Sequence, residues 1–274
     1  LINLLLKKTK YKIISIDNYS TGQKKNHIKN KRVNYIKADT KNISNVLKNS
    51  KSINSIFHFG EFARIYQSFV KMNECINSNS VGTNAVFNYC LKNKIKLIYS
   101  ATSASLGNKG NDKNLSPYAF TKAKNLELLE NLKKWFNFKY EVIYFYNVYG
   151  EGEIALGQYA TVVAIFLHLK KSGEKVLPVV SPGTQKRNFT DVRDIVNGLL
   201  LVAEKGYGDG YGIGSHQSFS ILQLADMIGL PVKMLPARKG NRLDAPVLSD
   251  KTTALGWAAK YFLKDYIKKE KSLK

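Results

Sequence analysis

A chain of 274 residues, 44% of them hydrophobic, has enough apolar material for a sizeable core, as one large domain or two lobes sharing an interior. Its formal charge of +23 invites a nucleic-acid reading, but only six of the 43 basic residues are Arg, and the 37 Lys are scattered through every segment. Phosphate and base recognition favours Arg in a concentrated stripe, so nucleic acid is excluded as the partner, while the charge still suits an anionic small molecule.

Two cysteines, Cys75 and Cys90, lack CxxC spacing, which argues against a disulfide framework or a zinc site. Both read as small apolar groups on helices in a reducing compartment. No apolar run is long enough to span a bilayer and no signal-peptide pattern is visible, so the expectation is a soluble, cytoplasmic protein without a membrane partner.

Residues 1–10 read as a short amphipathic helix, followed by a strand over 11–16 that ends in Asp17. In a dinucleotide-binding fold the acidic residue closing the second strand takes the adenosine ribose hydroxyls; the alternative for Asp17 is a plain turn residue. The first strand and the Gly-rich turn that should precede this helix do not occur in the sequence, which opens on Leu1. The expectation is therefore an N-terminally truncated piece of a longer protein. Strands come next over 33–38 and 55–59. His58, alone at a strand end, reads as a structural hydrogen-bonder. Helices are expected over 64–77 and 81–93, the second carrying Val81, Ala85, Val86, Tyr89 and Cys90 on one face, with Asn79 as its N-cap.

The stretch over 100–122 carries the chemistry. An apolar strand over 95–99 ends in the hydroxyls of Ser100, Thr102, Ser103 and Ser105. After a polar Gly/Asn/Lys/Asp loop, Ser116-Pro117 opens a helix over 117–136, with Pro tolerated in the first turn. Tyr118 and Lys122 stand at i and i+4 and so share a face. A phenol backed by an ammonium group and facing a strand-end hydroxyl suits removal of a proton from an alcohol. A free Tyr titrates near about 10, and a fixed Lys⁺ together with an oxidised nicotinamide would favour the phenolate. Thr102 would hold the substrate oxygen in line. Leu126, Leu129 and Leu132 lie close to one face of the same helix.

After a strand over 140–145 the composition shifts. Tyr146-Asn147-Val-Tyr-Gly150 leads through Gly152 and Gly157 into a helix over 159–171. This divides the chain into a first part over 1–148 and a second lobe over 149–274, with about 186–202 returning to the first. His216 reads as an exposed loop residue, a helix opens at Ser220, and the Lys-rich tail after Asp265 reads as a frayed helix end.

Thr102 with Tyr118-Ala-Phe-Thr-Lys122 resembles the extended short-chain dehydrogenase/reductase family, in particular its nucleotide-sugar epimerases and dehydratases. Further matches fall in the same order: Asp17-Asn18-Tyr-Ser-Thr-Gly22, Phe57-His58-Phe59-Gly60, Asn79-Ser-Val-Gly82-Thr83, Tyr146-Asn147-Val-Tyr-Gly150, Arg187-Asn-Phe-Thr-Asp-Val192 and Ala254-Leu-Gly-Trp257. The resemblance covers nearly the whole chain. It implies an α/β fold, a Rossmann-type doubly wound parallel sheet with a smaller C-terminal substrate-binding lobe, and NAD as cofactor. It also implies a homodimer, since relatives use helices such as 117–136 as a dimer seam; a core face is the other reading of those leucines.

By the same resemblance, Asp17 and Asn18 would meet the adenosine ribose, and Asp39 and Thr40 the adenine. Phe59, Gly60 and Glu61 would line the pyrophosphate and nicotinamide ribose. Asn79, Tyr118 and Lys122 would also lie at the cofactor. Thr102 would hold the sugar, and Asn147, Arg187 and Arg238 would hold the diphosphate of a UDP-sugar. Arg suits that work because its planar fork binds phosphate oxygens bidentately.

Family members share oxidation of the sugar and differ in the step after it. Dehydratases of the family carry an acidic pair directly after the hydroxyl residue, where this chain has Ser103-Ala104. Decarboxylating relatives place a Glu nearby, and fucose-pathway reductases a Cys at the position of Ser103. The expectation is therefore an NAD-dependent C4 epimerase of a UDP-hexose. The alternatives are a reductase or dehydratase of the same family, or a non-catalytic nucleotide-sugar-binding protein.

Overall fold

Short runs rich in Ile, Val and Tyr become parallel strands in the computed structural model, which describes residues 1–48, 52–106, 113–240 and 247–272. Residues 107–112 of the expected polar loop lie outside the described residues. α1 (Ile2–Lys8) leads into β1 (Ile13–Asp17), which pairs in parallel with β2 (Val33–Lys37), Asp17 opposite Lys37. α2 (Ile43–Val46) and β3 (Ser55–His58) come next. The helix expected over 64–77 is two pieces, α3 (Ile65–Val70) and α4 (Met72–Ile76), broken where Lys71 leaves helical geometry at ψ 47°. A π-helical turn, Asn77–Gly82, then runs into α5 (Thr83–Lys92).

The chain then forms β4 (Lys96–Thr102), α6 (Pro117–Phe136) and β5 (Tyr140–Phe145). α6 starts where Ser116 accepts the Ala119 N–H at 3.1 Å, and it stops at Asn137, which takes the left-handed conformation at φ 51°. Beyond it lie β6 (Asn147–Tyr149), α7 (Val162–Lys171), β7 (Leu177–Val180), β8 (Lys186–Arg187), β9 (Phe189–Asp191), α8 (Val192–Lys205) and β10 (Gly208–Ile213). The chain continues through β11 (Phe219–Ser220), α9 (Ile221–Ile228), β12 (Val232–Leu235), α10 (Asp250–Ala254) and α11 (Leu263–Ser272). α9 opens on a capping box between Ser220 and Gln223.

The largest sheet is parallel, in the order β10-β5-β4-β3. Alternation along β4 sends Leu97 and Tyr99 to one face and Ile98 to the other. The first face packs on Val86, Phe87 and Cys90 of α5 and on Leu129 and Leu132 of α6, so these leucines form a core face. The second packs on Ile195, Leu199 and Val202 of α8, joined by Trp257. The return to the main sheet thus reaches beyond 186–202 to include β10. A separate core joins Phe166 and Leu167 of α7, Leu177 and Val179 of β7, Leu224 and Ile228 of α9, and Leu263 and Ile267 of α11. The tail expected to fray is therefore a packed helix, held by its two inward apolar residues.

One other expectation changes. Val81, placed by periodicity on the buried face, is 51% exposed, because the π-helical turn rotates it away from α5's inner face. The pair β1–β2 forms its own sheet, and among the described residues no strand hydrogen-bonds the outer edge of β1 or of β3. Side chains tie the two sheets instead. Thr40, just after β2, sits so close to Gly60 and Gly82 that a Cβ would lie 2.9 Å from its Cγ2 at the first and 2.3 Å from its Oγ1 at the second. Only glycine admits that approach. Among the described residues no helix is long and apolar enough to cross a membrane.

Candidate active site

The C-terminal ends of parallel strands are where α/β sheets place their chemistry, because loops and helix N-termini converge there. β4 ends in Thr102, and α6 brings Tyr118 and Lys122 down beside it. The Thr102 hydroxyl stands beside the Tyr118 phenol and favours its ionised form, and the Tyr118 backbone N–H donates to Ser68 Oγ at 3.2 Å. Thr102 Oγ1 also accepts the Ala104 N–H at 3.2 Å. The three residues read from the sequence as a proton-transfer group are therefore neighbours. Phe62, Cys75, Ala104 and Ala119, flanked by Ile65 and Tyr159, close an apolar wall around the Tyr118 ring.

Lys122 does not stand free behind the phenol. Its ammonium donates to Glu61 Oε2 and to the Ser100 carbonyl, and lies 4.6 Å from the centre of the Tyr99 ring. The side chains of the ion pair are 4% and 2% exposed. Glu61 Oε1 accepts from Thr83 Oγ1 and Tyr99 OH, each at 2.9 Å, and from Asn125 Nδ2 at 3.2 Å. Behind Thr83 stands His58, whose Nε2 lies 2.9 Å from the Thr83 hydroxyl. Burial lowers the His58 pKa to about 4, so this ring is neutral and structural.

The charges alter one expectation. Burial, reinforced by the Glu61 carboxylate, pushes Tyr118 up to about 12, while the hydrogen bond from Thr102 and the Arg64 guanidinium pull it down. The residues of the chain by themselves therefore do not lower the phenol, because Lys122 is paired with a carboxylate that cancels much of its field. Lys122 is itself pushed down by burial and back up by Glu61.

The adenosine end lies beyond β1 and β2. Asp17 is exposed and accepts the Tyr19 N–H at 2.7 Å, Tyr19 having φ 57°. Asn18 donates to Asp39 at 3.3 Å, and Asp39 caps the turn at Thr40 through the Lys41 N–H at 3.1 Å. Accessible carboxylates at two adjacent strand ends suit ribose hydroxyl donors. These residues fit the adenosine half of a dinucleotide. Phe59 is 42% exposed against Phe57 and Phe145. Asn79 is different: fully buried, it clamps the Phe62 backbone (N–H at 2.6 Å, C=O at 3.0 Å) and donates to Thr121 at 3.1 Å. It is neither an N-cap nor turned outward, so it shapes the loop holding Glu61 and Phe62 from within.

On the other side, Asn147 opens β6 opposite Phe189, and Arg187 closes β8 opposite Phe219. Arg238 lies over the Tyr66 ring at 5.1 Å, in a cleft of about 560 Å³ between α3 and residues 235–239. Arg64 and Gln67 reach across to the backbone carbonyls of Tyr159 and Gln158, the latter at 2.7 Å, and Phe62 meets Tyr159 edge-on. His216 is exposed. Sequence reasoning did not single out Thr83, Tyr99, Asn125, Arg64 or Tyr159. Asn125, three residues after Lys122 on α6, carried a helical-spacing signal; the others come together only through the tertiary fold.

The parallel sheet, the strand-end hydroxyl and the Tyr-Lys helix fit a dinucleotide-dependent class acting on an alcohol, and the chain belongs to the NAD dependent epimerase/dehydratase family, whose model matches residues 1–214. Its cofactor is NAD. Among relatives, a putative UDP-glucose 4-epimerase of Methanocaldococcus jannaschii is 24% identical over 94% of this chain and 89% of its own length. The dTDP-D-glucose 4,6-dehydratase of Bos taurus is 28% identical over 82% and 68%. The crystal structure of UDP-glucose 4-epimerase from Thermotoga maritima with UDP-glucose superposes with a TM-score of 0.85, at 25% identity, covering 97% of this chain and 91% of that one. The chain is thus similar both to epimerases and to dehydratases.

Proposed function

We propose that this protein is a nucleotide-sugar epimerase, inverting C4 of a UDP-hexose through a 4-keto sugar. One observation carries the reading: the Thr102 hydroxyl stands beside the Tyr118 phenol at the end of β4, and the next two positions, Ser103 and Ala104, hold no carboxylate to drive loss of water. The nearest buried carboxylate, Glu61, is bound to Lys122 and three further donors.

In this reading Tyr118, as phenolate, takes the proton of the sugar 4-hydroxyl, and Thr102 orients that oxygen. NAD, when bound, would supply the reversible hydride acceptor for C4 of the sugar. Asn147, Arg187 and Arg238 hold the diphosphate while the keto sugar turns over, so that both faces of the ring reach the same position. Tyr118 then returns the proton to the opposite epimer. Asp17, Asn18, Asp39, Thr40, Phe59, Gly60 and Lys122 hold the cofactor, and Asn79 supports them from inside. The cofactor supplies the redox chemistry, and the protein supplies orientation and electrostatics. Two buried, unpaired thiols suit a cytoplasmic setting. A homodimer belongs to the same reading, with exposed Met72, Val81 and Phe120 as apolar groups a second copy would cover.

Incubation with UDP-glucose, UDP-galactose and their N-acetyl counterparts tests the reaction. The expected product is the C4 epimer at unchanged mass, with no accumulation of NADH. A product lighter by one water means a dehydratase, stoichiometric consumption of added NADPH means a reductase, and no turnover of any sugar nucleotide means a binding protein.

A further inference from the structure

Glu61 stands where the family resemblance puts a cofactor contact, yet its carboxylate already accepts from four protein donors, three on Oε1 and one on Oε2. An ionised carboxylate offers about four lone-pair directions. Thr83, Tyr99 and Asn125 converge on Oε1, and the Lys122 ammonium takes Oε2. Lys122 in turn has three N–H groups, of which Glu61 takes one and the Ser100 carbonyl a second. We propose that Glu61 is a positioning residue acting through Lys122: it fixes the ammonium at the end of β4 with one N–H left to present, and makes no contact of its own with the cofactor.

This rests on the assignment of Lys122 to the cofactor site. The groups facing the ammonium come from several neighbouring elements: His58 from the end of β3 and Glu61 from the loop after it, Tyr99 and the Ser100 carbonyl from β4, and Cys75 from α4. Glu61 is the one carboxylate among them. Burial drives the Lys122 proton off and Glu61 holds it on, so the carboxylate keeps the lysine both placed and charged. The cage around Glu61 explains why it stays put: Asn125 also bonds Tyr99 OH at 3.0 Å and the Asn79 carbonyl at 2.7 Å, so three elements lock the acceptor.

The test is a double-mutant cycle on Glu61→Gln and Lys122→Met. Gln keeps the length and an oxygen for Thr83, Tyr99 and Asn125, but turns an amide N–H₂ toward Lys122. In urea unfolding, each single variant leaves one buried charge unpaired and lowers the midpoint, and the double variant recovers part of the loss. By NADH fluorescence, E61Q weakens binding roughly tenfold with Lys122 present and not at all in the K122M background. With Lys122 present, E61Q also moves the alkaline fall-off of NADH affinity down by about one pH unit or more, since a buried lysine without its carboxylate loses its proton sooner.

Equal weakening in both backgrounds would mean that Glu61 touches the cofactor itself, and would overturn the proposal. So would strictly additive midpoints or an unmoved alkaline limb. If E61Q alone does not fold, the double variant compared with K122M decides: weaker NADH binding in the double overturns the proposal, equal binding supports it. The unfolding cycle needs no turnover, so a coupled pair in a protein that epimerises nothing would sink the epimerase reading and leave this one standing.

Discussion

Tyr118→Phe removes one oxygen from a ring that is 8% exposed and packed among Phe62, Cys75, Ala104 and Ala119. The shape of the wall is kept, and Thr102, which loses a partner, is half-buried and keeps the Ala104 N–H. The cost in stability is one hydrogen bond, about 0.5–1.5 kcal/mol. Turnover loses its positioned acid and base, a fall of roughly 10²–10⁴, or about 3–5 kcal/mol at the barrier. A phenol held at about 12 is ionised in only about one molecule in 10⁵ at pH 7. The base thus depends on positive charge arriving with the cofactor, and wild-type turnover rises with pH on its acid side, by up to about tenfold per unit. Chromatographic progress curves from pH 6 to 9, set beside urea unfolding, read both quantities. A folded Phe variant with near-normal turnover, or with the wild-type pH slope intact, would refute the assignment.

Three further outcomes are expected. His58 has a folded pKa of about 4 against an ordinary 6.5, so the unfolded chain binds the proton more tightly; stability is unaffected above 6.5, falls as pH drops, and levels off near 4 after a loss of roughly 3 kcal/mol. His58→Gln removes that component of the slope, as urea midpoints at pH 7 and 4 will read; parallel slopes in the two proteins would contradict it. Leu129→Ala opens a hole at a fully buried position between α6 and β4, costing about 2–5 kcal/mol by the same measurement; a loss below one kcal/mol would mean a surface that collapses freely. Arg238→Ala raises KM for the UDP-sugar while leaving kcat nearly unchanged, because a diphosphate contact is made equally in ground and transition states, and Lys does not restore it. An unchanged KM would remove Arg238 from the substrate site.

The elements legible in the sequence are those whose signal is local. α6 runs over the residues expected because Ser116-Pro117 starts it by capping chemistry, and β5 runs over an apolar stretch broken only by Glu141, whose charge is met by Lys96. The neighbourhood of Thr102 and Tyr118 comes from a strand end meeting a helix start. The illegible part is long-range. Glu61 stands 61 residues from Lys122, and nothing in either local pattern says that a carboxylate will neutralise the ammonium. Lys71 gives no sequence warning of a helix break, and the π-helical turn that swings Val81 outward is a tertiary accommodation around the buried Asn79. β10 escapes a sequence reading because Gly208, Gly210 and Gly212 dilute its apolar content, while Gly212 is required there: a Cβ would lie 2.3 Å from the Leu248 carbonyl.

The separation of β1–β2 from the four-stranded sheet has a consequence for how the molecule loosens. Without a shared ladder, the two-stranded unit bearing Asp17 and Asp39 is joined to the rest by side chains, Thr40 against two glycines and Ile16, Ile43 and Leu47 against the main core, and should open as its own cooperative block. Its amides should exchange with solvent far ahead of those in β4 and β5. A dinucleotide gripped at Asp17 and again beside Tyr118 would stitch the two blocks, so NAD would be felt first as a slowing of exchange in β1 and β2, remote from the atoms that react.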